Sequence, residues 1–259
     1  MQRLHRDPRL IYDVGMYDGS DTRYYLDSGY KVLAVEANPE LVVCAHRRFR
    51  KAIGAGQLVV VHAAIGCATG QTVELITAQD DLGSSSVIPQ MVAAMGPGRT
   101  FAVQTTRLHD LFGRYGIPHF LKVDIEGADR DCVLLLDREN RPTYLSFEAN
   151  DDVEELVEHA ASCGYEKFKA ISQTTFLSVQ KQYAFQHRLA RKIIRTLGYD
   201  EPKVRRINGR RFVLGHSSGP VPWESCGPWI GKESVLALWR REKAKGMHID
   251  WYDIHATVG

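Results

Sequence analysis

Asp13, Asp18 and Asp21 crowd a glycine turn in IYDVGMYDGSDT, residues 11–22. A turn such as Gly15-Met-Tyr-Asp-Gly19, placed after a short apolar strand, is where an α/β protein cradles a nucleotide. A dinucleotide fingerprint wants G-x-G-x-x-G, so that backbone N–H groups can meet a pyrophosphate. This turn lacks the middle glycine and carries acids on both sides. A diphosphate would face Asp13 and Asp18 at close range, where like charges in a partly dry site repel strongly. The chemistry suited to this turn is that of a cation.

S-adenosyl-L-methionine has no phosphate. It brings a sulfonium and an ammonium, with one carboxylate that a helix N-terminus can hold. On this reading Asp13, Gly15, Tyr17, Asp18, Gly19, Ser20, Asp21 and Thr22 form its cradle, with Ser20 as helix N-cap. KVLAVEANP ends its strand in Glu36, followed by Ala37 and Asn38. A carboxylate there can accept both ribose hydroxyls, a device that NAD enzymes share. Glu36 therefore points to an adenosine without naming it. Ala63 and Ala64 are small where an adenine ring would lie flat; plain core alanines are the alternative.

A second chemical cluster lies in LKVDIEGADRDCVLLL, residues 121–136. Side chains two apart on a strand share a face, so Lys122, Asp124 and Glu126 point the same way. Charge on a central strand is costly unless it is paired or used. Lys122 can pair with an acid as structure, while Asp124 and Glu126 at the carboxyl end are catalytic candidates. A buried salt-bridge network is the competing reading. SFEAN (146–150) brings Glu148, a third catalytic candidate, and Asn150 to the same rim. Oxygen donors of this kind suit Mg²⁺, but hydrogen bonds to a substrate or loop are the favoured reading.

These residues need elements to hold them. Near-continuous apolar runs at 9–15, 31–37, 57–65, 120–126, 143–149 and around 165–176 read as parallel strands covered on both faces. Helical patterns fall at 20–28, 39–51, 129–136 and 151–163. The alternation predicts an α/β, doubly wound, mostly parallel sheet with right-handed crossovers. TVELITA (72–78) makes an extra strand, and residues 81–98 a loop with one helical turn. Residues 1–180 are expected to be the cofactor-binding core and 181–259 a C-terminal extension. Within the extension RFVLG (211–215) reads as a last strand and residues 232–245 as a helix.

The 259-residue chain is 44% hydrophobic with net charge +2, ordinary for a soluble protein with one substantial core. Five cysteines without C-x-x-C spacing argue against a zinc knuckle or disulfide framework. No signal-peptide core or long apolar run is visible, which predicts a cytoplasmic protein away from membranes. His62 reads as a core residue, and His248, Asp250, Asp253 and His255, a ligand-like cluster, as a solvated terminal segment, with a metal site as the alternative. The cation-rich stretch 187–211 reads as a solvated amphipathic face rather than a nucleic-acid surface. All four tryptophans fall in the extension, suggesting an acceptor pocket there. Arg205, Arg206, Arg210 and Arg211 would let it meet an acidic acceptor. A stabilising lobe or a homodimer interface is the alternative.

The blocks DVGMYDGSDT, VLAVEANP, AAIG (63–66) and LKVDIEGADRD together resemble the FkbM family of S-adenosylmethionine-dependent methyltransferases. The likeness spans roughly residues 10–176, with Asp129 standing where the family more often has Glu. It implies the class I (Rossmann-like) methyltransferase fold, with seven strands of which the last is antiparallel. It also implies O-methylation of a hydroxyl on a small molecule such as a sugar, polyketide or other secondary metabolite. The rivals are an NAD(P)-dependent oxidoreductase, disfavoured by the acidic turn, and an RNA-binding protein, favoured only by residues 187–211.

Overall fold

The computed structural model describes residues 4–78, 85–86, 98–125, 128–173, 175–179, 204–214, 216–244 and 252–259. The chain begins with β1 (Arg6–Val14), α1 (Ser20–Asp27), β2 (Lys31–Glu36), α2 (Pro39–Arg48), α3 (Arg50–Gly54) and β3 (Leu58–His62). It continues through β4 (Ala64–Ile65), β5 (Thr72–Ala78), β6 (Ser85–Ser86), β7 (Gly98–Thr106) and α4 (Leu108–Tyr115). Next come β8 (Ile117–Val123), α5 (Asp129–Leu134), β9 (Tyr144–Glu148), α6 (Val153–Ser162) and β10 (Lys167–Ser172). The last elements are β11 (Val204–Ile207), β12 (Arg210–Val213), α7 (Lys232–Lys243) and β13 (Tyr252–Thr257).

Seven strands form the central sheet in the order β3-β2-β1-β8-β9-β13-β10. Every neighbouring pair is parallel except those of β13, which runs antiparallel to both β9 and β10. The strand order reverses between β1 and β8, so a crevice opens beyond their carboxyl ends. Side-chain alternation divides the core in two. Tyr12, Leu33, Leu121 and Leu145 pack on one face with Phe112, Val133, Leu156 and Leu236 from α4–α7. Ile11, Ala34 and Phe120 pack on the other with Tyr25 and Ala45 from α1 and α2. Phe212 and Val221 of the C-terminal extension complete that second layer.

Several sequence-based expectations shift here. RFVLG is one: among the described residues, Arg210–Val213 pairs with β11 as a hairpin and not with the central sheet. The seventh strand is β13, whose six residues are all buried. Asp253 and His255 are therefore core residues rather than members of a solvated tail, while His248 and Asp250 lie outside the described residues. The run 57–65 breaks after β3, because Ala64 and Ile65 leave to pair with Thr105 and Thr106 of β7. His62, at that break, is exposed rather than core. β7 had no clear sequence signal, since polar residues fill its outer face; it pairs along its length with β5. Most of 81–98 and residues 180–203 lie outside the described residues.

Three of the four tryptophans make packing contacts. Trp223 lies among Tyr30, His119 and Tyr144, with ring centroids 5.8, 5.2 and 4.7 Å away. Trp229 stacks over the Lys169 ammonium at 4.4 Å. Trp239 packs against the helix-side core, and Trp251 lies outside the described residues. Among the described residues, no helix is long and apolar enough to cross a membrane.

Candidate active site

The glycine turn follows β1 directly and remains tied to β2: the Gly15 and Met16 N–H groups both donate to the Val35 carbonyl (3.0 and 3.2 Å). Gly15 has φ +82°, and a Cβ there would stand 1.8 Å from the Asp124 carbonyl oxygen. Only glycine lets the turn approach the end of β8 so closely. Gly19, at φ +76°, is the residue before the first helical turn, so it rather than Ser20 occupies the N-cap position of α1. Asp18 supplies the missing side-chain acceptor, taking the Ser20 N–H at 2.8 Å.

Beneath the turn, Lys122 gathers three acids. Its ammonium lies 3.4 Å from Asp13, 3.3 Å from Asp21 and 3.3 Å from Asp124. Burial works against the charge on Lys122, but Asp13, Asp124 and Asp21 hold its pKa well above the usual lysine range. Asp13 is wholly buried; burial pushes its carboxyl up to about 6, while Lys122 and the Thr22 hydroxyl (2.6 Å) pull the other way. Asp13 and Thr22 thus support the turn from below, and Asp124, one-third exposed, is the member of the network that reaches the crevice.

The network is one end of a polar row across the sheet. Asp13 is in register with Lys122, Lys122 with Ser146, Ser146 with His255, and His255 with Lys169. All five are buried. His255 Nδ1 meets the Ser146 hydroxyl at 2.9 Å, and Lys169 donates to the Pro222 and Ser225 carbonyls at 3.2 and 2.9 Å. Desolvation, aided by Lys169, pushes His255 down to about 3, so its ring is neutral.

Glu36 closes the other wall. One carboxylate oxygen accepts the Tyr17 N–H (2.9 Å) and the other the Asn38 N–H (2.8 Å). Burial raises its carboxyl to about 6 against these hydrogen bonds. Asn38 caps α2 by accepting the Glu40 N–H (2.9 Å), while its own Nδ2 is buried without a partner. Ala37 packs beside Ala64, and Ala63 is buried at the break where the chain leaves β3, its N–H donating to the Glu36 carbonyl (3.1 Å).

At the far side of the crevice, Asp129 holds the ends of β8 and β9 together by accepting the Ile125 and Glu148 N–H groups, both at 3.4 Å. Burial and the nearby Asp124 push its carboxyl up to about 6. Asn150 donates to Glu148 at 3.3 Å. Lys122 stands 3.3 Å from Asp124, a cation already in the place where a metal would compete for that carboxylate. Among the described residues no group of His, Cys, Asp and Glu has metal-ligand spacing. Glu126 lies outside the described residues.

Residues 216–218 of the extension fasten onto the turn, which sequence reasoning missed. Ser217 and the Ser218 N–H donate to the two oxygens of Asp21, the latter at 3.0 Å. The Ser218 hydroxyl reaches Asp124 at 3.4 Å, and His216 Nδ1 lies 3.2 Å from Asp18 with its ring 5.5 Å from that of Tyr17. Nothing in HSSG announces this contact, because its partners lie almost two hundred residues away. Asp253 was also missed. It is in register with Glu148, is 2% exposed, and receives the Gln173 amide at 2.8 Å.

The strand order, with one late antiparallel strand, and a glycine turn at the reversal point define the class I methyltransferase fold. The Methyltransferase FkbM domain model matches residues 13–208, and the chain belongs to that family. No curated protein matches it. Solved structures resemble it loosely. An FkbM methyltransferase from Methylobacillus flagellatus is 15% identical, with 63% of this chain and 40% of that one covered and a TM-score of 0.39. This chain thus spans less than half of that protein's length. A precorrin-6y C5,15-methyltransferase from Geobacter metallireducens is 12% identical over 99% and 82% of the chains, with TM-score 0.40. A SAM-dependent methyltransferase from Geobacter sulfurreducens, solved with S-adenosyl-L-homocysteine, is 12% identical over 97% and 84%, with TM-score 0.36. At these scores the likeness carries no argument about the site.

Proposed function

We propose that this protein binds S-adenosyl-L-methionine between the β1–α1 turn and the end of β2, and methylates a hydroxyl of a small molecule. The observation that supports it most is Glu36, buried at the tip of β2 with its carboxylate held by the Tyr17, Asn38 and Ala37 N–H groups. Of the carboxylate's roughly four lone-pair sites, that leaves room for a ribose hydroxyl. The unpartnered Asn38 Nδ2 beside it is a buried donor suited to the same nucleoside, and Gly15 and Gly19 let the turn pack against Asp124 and Phe49 at distances no side chain would allow. When bound, S-adenosyl-L-methionine supplies an electrophilic methyl group on a sulfonium.

The chain's own residues do the rest. Lys122 is shared among three acids, so the crevice keeps an excess of negative charge that favours a cation and repels a diphosphate. On this reading Asp124 or Glu148 takes the proton of an acceptor hydroxyl as its oxygen forms the new bond to carbon. Holding that hydroxyl in line would supply much of the rate. This charge favours a neutral acceptor over the acidic one suggested by the arginines. Arg210, for its part, lies 5.0 Å over the Tyr24 ring of α1. The test is chemical: with methyl-labelled S-adenosyl-L-methionine and a small-molecule extract, label should appear in an O-methyl ether. Label confined to N-methyl products would overturn the hydroxyl assignment.

A further inference from the structure

We propose that Asp253, on the last strand, is an acceptor-binding residue that receives an oxygen of the methyl acceptor adjacent to the hydroxyl being methylated. The inference rests on the methyltransferase reading above. β13 runs antiparallel, so its first residues lie at the same end of the sheet as the last residues of β8 and β9. Lys122 is in register with Ser146 and Asp253 with Glu148, so alternation puts Asp124, Glu148 and Asp253 on one face, side by side at the crevice.

The Asp253 carboxyl is only half used. Oδ1 accepts the Gln173 amide at 2.8 Å, while Oδ2 is buried without a hydrogen-bond partner. Burial, reinforced by the Asp124 charge, pushes its carboxyl well above the usual carboxylate range, with Gln173 and Lys122 opposing. Oδ1 is already an acceptor, so Oδ2 is the oxygen left for a ligand to meet. Two residues along the same face, His255 Nε2 is likewise buried and unpartnered. A core strand does not normally carry two orphaned polar atoms, because each costs free energy unless something meets it. A free buried oxygen beside two carboxylates fits an acceptor with two neighbouring oxygens. One hydroxyl donates its proton to Asp124 or Glu148; the other, a vicinal oxygen, hydrogen-bonds to Asp253.

The test uses the full-length protein, S-adenosyl-L-methionine with a labelled methyl, and two probes: trans-1,2-cyclohexanediol and cyclohexanol. The wild type should methylate the diol at least about 10-fold faster, the worth of one hydrogen bond to a buried polar group. Asp253→Leu should bring the two rates together, while Asp253→Asn, which keeps a polar group there, should retain most of the preference. S-adenosyl-L-homocysteine affinity, read by calorimetry, should stay within about 2-fold in both variants; this also reports that they fold. Equal rates in the wild type, or a preference that survives in Asp253→Leu, would overturn the proposal. Failure of the wild type to bind S-adenosyl-L-homocysteine would instead overturn the reading beneath it.

Discussion

The Lys122 ammonium stands 3.3 Å from the Asp124 carboxylate at the crevice and 3.4 Å from Asp13 beneath it. One buried cation thereby ties the floor of the crevice to its one-third exposed rim residue. Removing it would leave Asp13 and Asp21 buried and unpaired. Lys122→Met should cost about 3–5 kcal/mol of stability, since breaking a buried ion pair from one side leaves an uncompensated charge. Urea unfolding at neutral pH measures this. A loss below about 1 kcal/mol would mean that the acids do not depend on Lys122.

Gly15 allows the turn to approach β8. Gly15→Ala would need both a left-handed backbone and a Cβ 1.8 Å from the Asp124 carbonyl oxygen. We expect a destabilisation of at least about 2 kcal/mol, together with loss of cofactor binding. Wild-type stability in thermal unfolding would contradict the close approach.

Glu36 makes stability depend on pH in a direction that can be worked out. Its folded pKa, about 6, lies above the 4.5 usual for a glutamate. The folded protein therefore binds the proton more tightly, and ionised Glu36 destabilises the ligand-free fold above about pH 6. Replacing Glu36 by Gln removes this titration. The wild type should gain up to about 2 kcal/mol relative to Glu36→Gln as pH falls from about 7 to about 4. Denaturant unfolding at both ends reads the difference; an unchanged or reversed gap would mean that Glu36 is not held in a desolvated site.

β13 sits between β9 and β10, not at a sheet edge. A chain ending before Tyr252 should lose cooperative unfolding, because two strands and the polar row lose their partner. Circular dichroism melting checks this. A truncated chain with a wild-type melt would show that the sheet closes without β13.

What was legible in the sequence follows from locality. The β1 turn, Glu36 and the Lys122–Asp124 pair could be read because strand runs and turn residues are local signals, and alternation fixes which side chains share a face. β13 could not be read that way. YDIHAT alternates polar and apolar residues, the pattern of a half-exposed strand, yet Asp253 and His255 are buried by a polar row to which four other strands contribute. The surroundings of Trp223 were illegible for a related reason. It packs on Tyr30, His119 and Tyr144, residues distant in sequence. The Ser217 and Ser218 contacts with Asp21 are equally non-local.

The most direct test of the central claim is calorimetric titration of the purified protein with S-adenosyl-L-homocysteine and, separately, with NADH. S-adenosyl-L-homocysteine should bind and NADH should not. Glu36→Ala should weaken the former by about 1.5–3 kcal/mol, the worth of its charge-assisted bonds to the ribose. Binding of NADH with no response to S-adenosyl-L-homocysteine, or an affinity unchanged in Glu36→Ala, would contradict the account.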